Sequence, residues 1–231
     1  MGEVADNYEQ IQDRVAAAAL RAGRSPDLIR IMAVTKTQSR ARIAEAYEAG
    51  IRLYGENRIG EAEEKYRDFH QDVELHMIGH LQRNKASLAV GLVSCVQSVD
   101  KIETARVLDR LCASRESVIE VMLEVNTSGE ATKSGYTERE AVLRDLDVIV
   151  GLKNIKVTGL MTIAPFVDDL AAVRASFRAL FTLREEITRR FPNISLRELS
   201  MGMSGDFEIA VEEGSTLVRI GTALFGRREA A

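Results

Sequence analysis

The feature that most limits what this chain can fold into is the order of its short apolar runs. Eight β-type runs occur: IRIMAVTK (29–36), IRLYG (51–55), ELHMIG (74–79), LVSCVQSV (92–99), VIEVMLEVN (118–126), KVTGLMTIA (156–164), ISLRELSM (194–201) and TLVRIG (216–221). A helical segment separates each run from the next. Strict alternation of this kind requires parallel pairing through helical crossovers. Eight such units in 231 residues predict a single closed (β/α)8 barrel, a TIM barrel, over residues 1–231. Barrels of this type typically need ~250 residues. An open doubly wound sheet would want a glycine fingerprint after its first strand, and AVTKTQSR has none.

Ahead of the first strand, Val4, Tyr8, Ile11, Val15 and Ala18 repeat at helical spacing, so an extra N-terminal helix is expected, ended by Gly23 and Pro26. Capping-box patterns at Asp100/Glu103 and Thr137/Glu140 are expected to open two later helices. Asp168 is the expected N-cap of a long helix with Leu170, Val173, Phe177, Leu180, Phe181 and Ile187 on one face.

Composition excludes several function classes. The net charge is −4, which gives no electrostatic footprint for nucleic acid. The basic pairs Arg189-Arg190 and Arg227-Arg228 read as solvated surface. Cys95 and Cys112 lack CxxC spacing and read as small core residues, which fits a reducing cytoplasm. The N-terminus has no signal-peptide pattern, and no apolar run reaches the ~18 residues of a membrane span.

In α/β barrels chemistry sits at the C-terminal ends of the strands, and phosphates often bind after strands seven and eight. Lys36 closes the first strand. It is either a solvated charge or an amine held in the barrel mouth, where it is available for Schiff-base chemistry. The seventh strand ends in SMGMSGD and the eighth in RIGTALFG. Ser200, Gly202, Ser204 and Gly205, with Gly221 and Thr222, form two small-residue turns whose backbone N–H groups an anion can approach. Arg219 lies inside the apolar eighth strand and must have a partner, either a carboxylate such as Glu198 or a ligand atom. Weaker features read blandly. His76 and His80 suit a strand and its loop rather than a metal site. GEATKSG fails the full P-loop pattern and reads as a flexible loop. EAEEKY (61–66) reads as a solvated helix face.

Taken in order, AVTKTQS, YGENRIGEAEEKY, HMIGHLQRNK, VNTSGEATKSGY, GLMTIAP and LSMGMSGDFEIAVEEGSTLVRIGTALFG resemble the pyridoxal phosphate homeostasis (YggS/PROSC) family nearly end to end. Two positions depart from the common pattern: the SGEATKSG loop, and Gly205 where an acidic residue is usual. The resemblance implies the barrel type of the alanine racemase N-terminal domain and binding of pyridoxal 5′-phosphate (PLP). It implies that Lys36 holds PLP as a Schiff base and that Arg219 faces the pyridine nitrogen. Ser200, Ser204, Gly221 and Thr222 would surround the phosphate, with Asn57 and Met161 near the ring.

The implied role is an intracellular PLP carrier or buffer, with apo PLP-dependent enzymes and amino or keto acids as possible partners. The alternative is a racemase-like PLP enzyme. Only five residues follow Gly226, so the C-terminal β domain of racemases of this fold is expected to be absent. A racemase also needs a second acid/base group opposite Lys36, for which Tyr54, Tyr136 and His80 are the available residues. The carrier reading is therefore expected, acting as a monomer.

Overall fold

The helical period at the N-terminus becomes α1 (Glu3–Arg21), which buries Val4, Ile11, Val15, Ala18 and Ala19. The computed structural model describes residues 2–130 and 132–226. Arg227-Arg228 lie outside the described residues. After α1 the chain runs β1 (Arg30–Val34), α2 (Arg40–Glu48), β2 (Leu53–Glu56), α3 (Ile59–Tyr66), β3 (Glu74–Met77), α4 (Ala86–Ala89), β4 (Cys95–Val99) and α5 (Ile102–Ala113). It continues with β5 (Ile119–Glu124), α6 (Arg139–Ile149), β6 (Ile155–Met161), α7 (Leu170–Arg190), β7 (Glu198–Ser200), α8 (Phe207–Glu212), β8 (Leu217–Ile220) and α9 (Thr222–Phe225).

Each strand pairs in parallel with its sequence neighbour, and β1 pairs with β8, so the expected barrel closes in chain order. Two apolar clusters follow from the period-two alternation of a strand. Met32, Leu53, Cys95, Met122, Met161 and Leu217 fill the barrel interior. The larger cluster, including Val96, Leu123, Leu160 and Val218, lies between strands and helices. Both cysteines are buried free thiols, as expected. Among the described residues no helix is long and apolar enough to cross a membrane. The N-terminal helix packs where the barrel closes: Asn7 Nδ2 donates to the Leu224 carbonyl at 3.0 Å, and Arg14 pairs with Glu208 at 2.6 Å.

The helix starts differ from the sequence expectation. At α5 the N-cap is Lys101, and no side chain caps it. A register shift between Val96 and Val99 precedes this turn, and Asp100 Oδ1 ends buried without a hydrogen-bond partner instead of capping. Before α6 an isolated bridge from Val125 to Tyr136 keeps the chain extended past Thr137. That helix therefore starts after Glu138, again without a side-chain cap. At α7 the cap is Asp169 rather than Asp168. Its Oδ1 accepts from the N–H groups of Ala171 (2.9 Å) and Ala172 (3.3 Å). Starting one residue later leaves Leu170 in the first turn, 63% exposed and off the buried face of Val173, Phe177, Leu180 and Ile187.

Loss of an N-cap acceptor costs about 1 kcal/mol. Asp169→Ala is expected to lower stability by that amount in denaturant titration, while Asp168→Ala leaves the midpoint unchanged. Equal effects would place the cap at both residues.

Candidate functional site

The β1–β8 seam brings the two most informative sequence motifs together. Ala33 stands opposite Ile220, so the chains leaving these strands emerge side by side. A Cβ built at Gly221 would lie 3.6 Å from the Val34 Cβ. Lys36 sits in a turn two residues beyond the end of β1 and is half-buried. Met32 faces the interior, and period two places Val34 on that same side. The turn is tight. Thr37 has φ of 64°, and its N–H donates to Glu61 Oε1 at 2.6 Å.

Beneath this turn lies a network that the sequence reading missed. Lys65 Nζ donates to the Thr35 carbonyl (2.7 Å), Glu56 Oε1 (3.0 Å) and Glu61 Oε1 (2.5 Å). Thr35 Oγ1 donates to Glu56 Oε1 at 2.7 Å and lies 2.7 Å from the Tyr66 hydroxyl. Glu56 is fully buried, and burial raises its pKa despite Thr35 and Lys65. EAEEKY is thus not a solvated face. Ala62, Lys65 and Tyr66 are buried against the barrel, and the i,i+4 pair Glu61–Lys65 turns inward to clamp the Lys36 turn. The spacing of that pair was legible, but its direction was not.

Arg219 faces inward from β8 and is buried. Its expected protein partner, Glu198, is wrong. Ser200 aligns with Leu217, so Arg219 stands level with Gly202, well above Glu198. Glu198 instead joins Arg30 at 3.2 Å and Thr216 at 2.9 Å. Arg219 Nη1 donates to Ser200 Oγ (2.7 Å) and Nη2 to the Thr162 carbonyl (2.8 Å). Burial lowers its pKa to about 10, opposed by the charges of Asp206 and Glu124, and it stays a cation at neutral pH.

The remaining expected site residues divide by depth. Met161 belongs to the interior apolar cluster. Ser204 bridges the two small-residue turns, its Oγ accepting from the Ala223 N–H at 3.1 Å. Gly202, two residues past the end of β7, has φ of +95°, a conformation that favours glycine. Asn57 lines a mouth cavity of about 320 Å³ together with His80, Glu124, Asn126 and Lys133. None of the other seven expected residues lines that cavity. The loop read as flexible is tied down: Asn126 Nδ2 donates to the carbonyls of Glu130 (2.8 Å) and Lys133 (3.3 Å), and Lys133 Nζ reaches the Ala164 carbonyl at 2.9 Å.

Glu124 was also missed. It ends β5, is 6% exposed and faces the same cavity. Burial pushes its pKa up to about 7, with Asp100 adding to the rise and Arg219 opposing it. The two histidines diverge as read: His76 is buried between Glu74 and Gln97, and His80 lies in the following loop, 3.8 Å from Asp100. Among the described residues no group of three or more His, Cys, Asp or Glu side chains is arranged to hold a metal ion. Tyr54 and Tyr136 are spent elsewhere, their hydroxyls on the Ile51 carbonyl (2.9 Å) and Asp145 (3.1 Å).

A larger cavity of about 940 Å³ opens at the opposite, N-terminal end of the strands. Its arginines are largely neutralised by carboxylates: Arg30 with Glu74 and Glu198, Arg178 with Glu213, and Arg197 with Glu120. That end of an α/β barrel serves stability, and the mouth is the candidate site.

The family model described as alanine racemase, N-terminal domain, matches residues 3–229. The chain belongs to that family. Within it, the chain is 40% identical to the pyridoxal phosphate homeostasis protein of Aquifex aeolicus, across 97% of this chain and 98% of the relative. It superposes with a TM-score of 0.81 on the structure of PipY of Synechococcus elongatus PCC7942 with PLP bound, at 36% identity over 94% of this chain and 100% of that one. An alanine racemase of Clostridium difficile shares the fold, with a TM-score of 0.75 at 14% identity, and the match covers 58% of it.

Removing one partner of a buried ion pair costs about 3–5 kcal/mol. Lys65→Met is expected to destabilise the barrel on that scale in denaturant titration. Lys65→Met combined with Glu56→Gln should recover most of the loss, and a double variant no better than the single one would disprove the pairing. Glu124 gives a pH signature. Its folded pKa of about 7 lies above the ordinary 4.5. Its contribution to stability is therefore complete below pH 4.5 and is lost as pH rises through 7. A carbon-13 titration of the Glu124 carboxyl should have its midpoint near 7, and Glu124→Gln should remove this slope from the stability profile.

Proposed function

We propose that this chain binds PLP in the barrel mouth, holds it as a Schiff base on Lys36, and serves as an intracellular PLP carrier and buffer. The observation that carries this reading is the β1–β8 seam, which sets the chain leading to Lys36 beside the Gly221 turn, above a buried arginine that has no carboxylate in hydrogen-bond contact among the described residues. The PLP homeostasis relatives and the PLP-bound structure support the same cofactor. Bound PLP would supply an aldehyde carbon to which the Lys36 amine could attach covalently with loss of water.

We assign the phosphate to the small-residue seat of Ser204, Gly221 and Thr222. Ser200 donates its single proton to Gln97 Oε1 at 2.6 Å while accepting from Arg219, so its role is to hold Arg219 rather than the phosphate. Met161 is assigned to the floor beneath the ring and Asn57 to the wall of the mouth. Arg219 can only donate, so toward the ring nitrogen it acts as donor and leaves that nitrogen unprotonated. An unprotonated ring is a weaker electron sink, which suits carriage better than turnover. We assign the site to a monomer, and the buried free thiols suit the cytoplasm. The partners on this reading are apo PLP-dependent enzymes, with amino and keto acids as small ligands. Of Tyr54, Tyr136 and His80, the groups the racemase-like alternative could use opposite Lys36, His80 alone lines the mouth cavity, where Glu124 and Lys133 are further titratable groups.

Borohydride reduction of the PLP-loaded protein should fix the cofactor mass on the peptide containing Lys36, and Lys36→Ala should abolish the visible absorbance without unfolding the chain. An adduct confined to another lysine would overturn the assignment. With a PLP-trapping agent present, the loaded protein should still reactivate an apo PLP enzyme. Full interception by the trap would reduce the role from delivery to storage.

A further inference from the structure

A file of polar side chains runs through the apolar barrel interior from mouth to base. It starts at Arg219 on β8, whose Nη1 donates to Ser200 Oγ on β7 at 2.7 Å. Ser200 Oγ donates to Gln97 Oε1 on β4 at 2.6 Å. Gln97 Nε2 meets His76 Nδ1 on β3 at 2.8 Å, and His76 Nε2 meets Glu74 Oε1 at 2.7 Å. Glu74 Oε2 then accepts from Arg30 at the barrel base. Arg219, Ser200, Gln97 and His76 are all at most 4% exposed.

Read outward from Arg219, the links take one self-consistent set of directions. A guanidinium only donates, so Ser200 accepts from it and has one proton left to give. That proton goes to the Gln97 carbonyl oxygen, and the Gln97 NH2 faces His76. His76 Nδ1 must then accept, which puts the ring proton on Nε2, where it donates to Glu74. The hydrogen bond from His76, followed by that from Arg30, holds the Glu74 pKa down at about 2 against burial. Each dipole in the file turns its negative end toward Arg219, and aligned hydrogen bonds polarise one another.

We infer that Gln97 and His76 are positioning residues for Arg219. They touch neither lysine turn nor phosphate seat. They anchor one arm of the guanidinium while the Thr162 carbonyl holds the other, so the remaining N–H groups have a fixed direction. The inference rests on reading Arg219 as the partner of the PLP ring nitrogen. It explains why a barrel interior otherwise filled by Met, Leu and Cys carries a glutamine and a histidine at its centre.

Two nitrogen-15 NMR signatures test the file without PLP. In the wild-type apo-protein, His76 should show Nε2 as the donor to Glu74 and Nδ1 as the acceptor from Gln97, and the Arg219 Nη resonances should be resolved by slow rotation. Gln97→Met should average the Arg219 signals and weaken PLP binding about tenfold, the scale of one charge-assisted hydrogen bond. Gln97→Glu keeps an acceptor for Ser200, so Arg219 stays resolved and affinity stays within about threefold. Its second oxygen then needs a donor, so His76 should become doubly protonated. A merely structural role would make the buried glutamate the worse variant. A wild-type His76 proton on Nδ1, or freely rotating Arg219 signals, would overturn the inference even if neither variant folds. If the apo signatures hold and wild type fails to bind PLP, the cofactor reading falls while the file stands as a holder of Arg219 alone.

Discussion

Everything at the mouth depends on the pairing of β1 with β8. Four residues of each strand are in register, from Arg30 with Leu217 to Ala33 with Ile220. This contact joins parts of the chain far apart in sequence, and it removes both edges of the sheet at once. Without it Lys36 would leave an open edge, remote from the Gly221 turn. With it, an amine and a small-residue seat share one rim, and α1 covers the outside of the closing region through Asn7 and Arg14.

Closure also creates the main energetic difficulty of the fold. An inward-facing arginine on β8 must lie among Met, Leu and Cys side chains, and a buried charge without polar partners is costly. The barrel meets that cost with neutral dipoles, a serine hydroxyl and a backbone carbonyl, rather than a contacting carboxylate. A carboxylate there would have neutralised the cation and occupied the donors that the mouth needs. The negative charges instead stand apart, at Asp206 and Glu124 near the mouth and at Glu74 and Glu198 at the base.

The lysine turn follows a similar logic on the outer side of the barrel. The Glu56–Lys65–Glu61 cluster satisfies the carbonyl of Thr35 and the N–H of Thr37, the two backbone groups flanking Lys36. The turn is therefore held from beneath by ion pairs, and the half-buried lysine projects from a braced loop. Apolar strand faces build the barrel, and polar clusters set where its functional side chains point.

The order of strands and helices, the closed parallel topology and the small-residue turns were legible in local pattern, because strand and helix periods are short-range properties. So was Lys36 as the singular residue after the first strand. Helix starts were less legible: Asp169 displaced Asp168, and the Val125–Tyr136 bridge delayed α6, since a cap depends on the path by which the chain arrives. Glu61 and Lys65 looked solvated because charge alone does not tell which side of an amphipathic helix meets the barrel. Glu198 seemed a natural partner for Arg219 because nothing in the sequence states the stagger between β7 and β8. By itself, the sequence determined the element order and the residue types available to the mouth. Only the tertiary structure decided register and facing, because these are set by barrel closure, a long-range contact that moves a partner by a full layer when it shifts by two residues.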